Sequence, residues 1–108
     1  MISVDRVEAA LKWIAEHIEA HATAKADLER EQERKKVVKA MLVTTKYSDM
    51  SNAAAENYAY ADAVYADQLE TVHKASVHYH VLDEKMKKED LVIQVWRSLN
   101  ANMRRENV

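Results

Sequence analysis

Neither glycine nor proline occurs among the 108 residues of the chain. At ordinary usage a chain of this length would hold roughly 13 of the two together. Glycine opens positive φ and proline deletes a backbone donor, so both punctuate helices and build tight turns. Their absence argues against β-hairpins, bulges and glycine helix caps, and removes the glycine-rich loops that cradle phosphates. Nucleotide hydrolysis and dinucleotide binding go with those loops. Cysteine is also missing, which excludes disulfides, a thiolate nucleophile and cysteine-ligated metal centres, and fits a reducing compartment. No run approaches ~18 consecutive apolar residues, so no membrane span is expected. The N-terminal segment places Asp5 and Glu8 early and holds no apolar run of signal length, so a cytoplasmic protein is expected.

What is present suits long helices. Charged residues make up 31% and hydrophobic residues 48%, at a net charge of −2. That balance argues against a protein whose main task is neutralising phosphates. One domain, residues 1–108, is expected at this length. Ser3 reads as an N-cap, and Val4, Val7, Leu11, Ile14 and Ile18 then recur three and four apart. The apolar pattern fades in DLEREQERKK (27–36), where pairs such as Asp27–Arg30, Glu31–Lys35 and Glu33–Lys36 can hold the helix in water. It returns at Val37, Val38, Met41 and Leu42, which gives a first helix over about 4–45.

The segment from Thr44 to Asn52 is rich in side chains that compete for backbone hydrogen bonds, and Ser48, Asp49 or Ser51 would cap the next helix. That second helix spans about 50–104. Tyr58, Tyr65, Val72, Tyr79, Met86, Ile93 and Asn100 lie seven apart, and Ala61, Gln68, Ala75, Leu82, Glu89, Trp96 and Met103 each follow three later. Such a heptad pattern is the mark of a helix packed along a seam. Polar Gln68 and Glu89 within it read as register-setting residues. An interruption is expected, if anywhere, near 84–90, where Asp90 could cap a separate terminal helix.

The expected fold class is therefore all-α, a long antiparallel helical hairpin turning near residue 48. Its helices would be ~60 and ~80 Å long at 1.5 Å per residue. Residue i of the first helix should face about residue 96 − i of the second, with Trp96, Leu99 and Met103 projecting beyond it. So slender a hairpin buries little core, and assembly into a dimeric four-helix bundle or higher oligomer is the expected remedy.

Candidate chemistry is sparse. His17 and His21, four apart, are the only weak metal-ligand candidates, with His78 or His80 within reach by the same register. Only Glu70–His73 has the Glu-x-x-His spacing that di-iron bundles need in more than one copy. No catalytic residues and no cofactor are expected. Arg30, Arg34, Lys35, Lys36, Arg104 and Arg105 are candidate nucleic-acid contacts, though interleaved with acids as solvated faces are. The stretch LVIQVWRSLNANMRR is apolar on more than one face. Tyr58, Tyr65, Ile93, Trp96, Leu99 and Met103 are accordingly the expected partner or oligomer interface.

From Val64-Tyr65-Ala66 through Leu69, Ala75 and Leu82 to Ile93-Gln94-Val95-Trp96-Arg97-Ser98-Leu99-Asn100, the chain resembles small helical proteins encoded by bacteriophages near recombination and replication genes. The resemblance covers about residues 35–105. It implies an accessory factor in the cytoplasm of a bacterial host, without active-site residues. The sequence as a whole thus points to a non-enzymatic, self-associating helical protein that binds another protein, within phage DNA metabolism or against a host system. A nucleic-acid-binding helical rod is the alternative.

Overall fold

The computed structural model describes residues 2–106, and among these every regular element is α-helical. Helix α1 is Val4–Thr44, α2 is Asn52–Ala61 and α3 is Ala63–Glu106. Ser3 caps α1 as expected, its hydroxyl accepting from the Arg6 N–H at 3.1 Å. By contacts the chain forms two compact units: residues up to Ala22 with those from His80 on, and residues Thr23 to Tyr79. Each unit is built on stretches of α1 and α3.

α1 ends without glycine. The Thr44 and Thr45 hydroxyls donate to the carbonyls of Ala40 and Met41 at 2.9 and 2.6 Å, and the Thr45 N–H also reaches the Met41 carbonyl. Residues 45–50 continue in turns closed by Tyr47 N–H to Leu42 O and Met50 N–H to Tyr47 O. No described residue has positive φ. Ser51 then caps α2, accepting from Ala54 N–H. Of the three caps the sequence offered, the structure uses Ser51.

The unit holding the chain's early and late residues is an antiparallel helix pair. Arg6 pairs with Glu89 and His21 with Asp83, so advancing along α1 means retreating along α3. Val7, Ala10 and Ile93 form its buried cluster, with Ile2, Ile14, Val92 and Trp96 against it. Trp96 is therefore packed on the chain's own core instead of projecting past α1. The inward line of α1 also differs from expectation. Val7, Ala10, Ile14, His17 and His21 turn inward, whereas Val4, Leu11 and Ile18 stay exposed. The expected line, Val4 to Ile18, and the observed one share Val7 and Ile14 and are both spaced by threes and fours, so spacing alone could not choose between them.

In the other unit, Leu42, Ala59 and Tyr65 form the buried cluster, flanked by Val38, Val43 and Tyr47. Ala24, Leu28, Glu31 and Gln68 are buried as well. The Gln68 amide donates to the Glu31 carboxylate at 2.9 Å and to its backbone carbonyl at 3.0 Å. Glu31 is thus a seam residue, not the solvated partner of Lys35. The Asp27–Arg30 and Glu33–Lys36 pairs do form, at 3.3 and 3.2 Å.

Residues 84–90 are continuous helix, and Asp90 lies inside α3, accepting from the Gln94 amide. The interruption falls instead at Asp62, whose ψ of 141° is extended. One extended residue moves the seam along the chain. Tyr58 and Ala61, expected inward, are exposed, while Ala59 and Asp62 take the buried positions. Beyond the break the heptads hold: Tyr65 through Asn100, with Gln68 through Trp96, are all buried or half-buried.

Ile93→Ala should lower unfolding free energy by at least about 2 kcal/mol, as truncation of a buried branched residue does. Val4→Ala, on the outer line, should stay within about 0.5 kcal/mol. Urea titrations of the two variants check which line is the seam.

Candidate functional site

The Asp62 side chain accepts three hydrogen bonds. Asp, a poor residue for a helix interior, offers its carboxylate to nearby N–H groups and so favours caps. Here it ends one helix and begins the next. Its N–H reaches the Ala59 carbonyl of α2, and its own carbonyl accepts from Ala66 N–H of α3. Its Oδ1 accepts from Val64 N–H at 2.8 Å. Its Oδ2 accepts from the Lys46 ammonium at 2.7 Å and the Tyr47 hydroxyl at 2.6 Å. Lys46, then Tyr47, then the Val64 amide hold the Asp62 carboxyl down from 3.8 to about 2, despite its burial. The same contacts raise the pKa of Lys46 and of Tyr47. This corner clamps the interhelical turn to the α2–α3 junction. Its carboxylate, ammonium and hydroxyl are bonded to one another.

Glu89, buried in the first unit, is held by Arg6 in a two-pronged pair at 2.7 and 3.0 Å, with Lys85 at 3.5 Å. The Arg6 bonds outweigh burial and lower the Glu89 pKa. The histidines take up local partners. His17 stacks on Trp13 with centroids 4.1 Å apart, its Nδ1 2.7 Å from the Trp13 carbonyl. His21 Nε2 lies 3.0 Å from Asp83, whose pKa Lys87 and then His21 lower. Among the described residues no three His, Cys, Asp or Glu side chains are grouped to hold a metal ion.

Three of the six basic residues proposed for nucleic acid face acidic side chains. Arg30 faces Asp27 and Glu31, Arg34 faces Glu31, and Lys36 faces Glu33. Lys35 and Lys36 line a solvent-open groove of about 530 Å³ together with Lys39, Glu56, Tyr60 and Tyr65. Within it Lys39 donates to the Tyr60 hydroxyl at 2.8 Å and lies 3.7 Å from Glu56. Arg104 and Arg105 occupy the exposed last turn of α3.

The residues expected at a partner interface divide. Tyr65 and Ile93 are 8% and 7% exposed, used within the chain's own cores, and Trp96 is half-buried. Tyr58, Leu99 and Met103 are 54%, 40% and 46% exposed, joined on α3 by Leu91 and Val95. No family model, curated protein or solved structure matches the chain. No helix among the described residues is long and apolar enough to cross a membrane.

Asp62, Lys46, Tyr47 and Arg6 were not singled out from sequence. An Asp between alanines was the available signal at the corner, masked by heptads that run unbroken through it on paper.

Two outcomes test these contacts. A carboxyl whose folded pKa lies below its unfolded value adds stability that is complete above the unfolded pKa and disappears as pH falls through the folded one. Stability should therefore drop between about pH 4 and pH 2, and Asp62→Asn should flatten that fall, leaving the part owed to Glu89 and Asp83. Urea midpoints measured across this range decide it. Arg6→Met alone, which strips Glu89 of its main partner, should lower the midpoint at pH 7. Adding Glu89→Leu should restore it, since a buried pair replaced by apolar groups is commonly neutral or better.

Proposed function

We propose that this protein is a non-enzymatic helical scaffold that associates with itself and acts by binding another protein. The observation that carries the reading is the exposed apolar row Leu91, Val95, Leu99 and Met103 on α3, backed by Val4, Leu11 and Ile18 on α1. Both helices already bury a separate stripe against each other. Apolar rows left over after the core is built mark contact surfaces more often than catalytic ones. The Asp62 and Glu89 carboxylates are held in structural contacts, and Lys39, in the groove, is bonded to Tyr60 and lies beside Glu56, which weighs against acid–base chemistry. Pairing of Arg30, Arg34 and Lys36 with neighbouring acids weighs against the nucleic-acid alternative. The resemblance of residues 35–105 to phage accessory proteins supports a role in phage DNA metabolism or against a host system.

Sedimentation equilibrium of the whole chain over micromolar to millimolar concentration tests the reading. The native protein should exceed its 12.4 kDa monomer mass as concentration rises. Val95→Glu with Leu99→Glu should hold it at the monomer mass without loss of helical circular dichroism. A native chain that stays monomeric throughout refutes self-association.

A further inference from the structure

The end of α3 carries more pattern than an apolar row. Lys88, Val92, Val95, Leu99, Asn102 and Glu106 follow one another by alternating steps of four and three. That is the spacing of a helix–helix seam, here on a face that α1 does not cover. All but Val92 are exposed, and Val92 is only half-buried at the edge of the inner core. Leu91 and Met103 flank the line and are exposed too.

This line is its own complement when reversed. Set antiparallel about a two-fold axis near residue 97, Val95 meets Leu99 of the partner subunit. Val92 meets Asn102 of the partner subunit, and Leu91 meets Met103 of the partner subunit. At the two ends Lys88 meets Glu106 of the partner subunit, and the symmetry makes that ion pair twice. Parallel pairing would instead oppose lysine to lysine and glutamate to glutamate. Neither Lys88 nor Glu106 is ion-paired among the described residues, so both charges are available for the purpose. Asn102 adds a polar group inside the seam, the type of residue that fixes register there at some cost in stability.

We infer that a second copy of this chain docks antiparallel on residues 88–106 of α3, through the Val95–Leu99 layers at the centre and Lys88–Glu106 pairs at both ends. The inference rests on the self-association reading and names its surface and register. A seam of 19 residues is about 28 Å long. The dimer is thus a modest one, whose strength responds to charge at its ends.

The test uses four samples of the whole chain: native, Lys88→Glu, Glu106→Lys, and an equimolar mixture of the two variants, all at low salt. Each variant alone opposes like charges twice, and its dissociation constant should rise by about tenfold or more. In the mixture, each substituted position faces a substituted position of opposite charge, and each native position faces a native one. The mixture should recover an affinity within about threefold of the native chain, losing the recovery as salt screens the pairs. Circular dichroism of each variant confirms that the helices are intact. If the native chain dimerises but both variants dimerise equally well, or the mixture stays as weak as its components, the proposed register is wrong while self-association stands. A native chain that never dimerises overturns both.

Discussion

One turn of a helix can offer a neighbouring helix only one or two side chains, and in this chain many of those offered are alanines or polar groups. The buried set includes Ala10, Ala24, Ala55 and Ala59, beside Glu31, Asp62, Gln68 and Glu89. Alanine brings backbones close but removes little apolar surface from water. A seam of this kind has almost no surplus hydrophobic free energy, so its polar members must all be satisfied. They are: among the described residues no buried side-chain nitrogen or oxygen lacks a hydrogen-bond partner.

That requirement gives the polar residues their importance. An apolar stripe of alanines tolerates a slide by one turn, because small side chains fit many places. A Glu31 that must meet Gln68, and a Glu89 that must meet Arg6, do not tolerate it. The buried carboxylates therefore act as pins along otherwise permissive helices. Asp62 does the same at the α2–α3 junction, where its backbone is extended. Its carboxylate ties Lys46 and Tyr47 of the link to the start of α3.

The same economy leaves apolar side chains outside. A helix pair consumes one stripe of each helix, and both α1 and α3 carry more than one. The remainder is spread along both helices, and one part of it, at the end of α3, lies along a line whose charges are opposite at its two ends. The groove beside Lys39 has its lysine, tyrosine and glutamate already bound to one another.

How much of this was readable beforehand depends on the range of the interaction involved. Helicity, the Ser3 cap, the glycine-free turn in the late forties and the heptads from Tyr65 onward follow from local preference and spacing, which a sequence displays directly. The rough pairing register was legible too: Lys39 was expected opposite residue 57 and meets Glu56 and Tyr60, while Glu31 meets Gln68 about a turn from its expected place. Three things were decided only by tertiary structure. The choice of Ala10, His17 and His21 over Val4, Leu11 and Ile18 to join Val7 and Ile14 on the inward line of α1 depends on which side α3 lies, and periodicity is blind to that. The break at Asp62, not near Asp90, depends on Lys46 and Tyr47 arriving from across the turn to hold that carboxylate. The division of the expected interface, with Tyr65 and Ile93 inside and Leu99 and Met103 outside, depends on where one helix stops covering the other. Spacing along a chain fixes which residues share a face; only a second helix laid against it decides which face is kept from water.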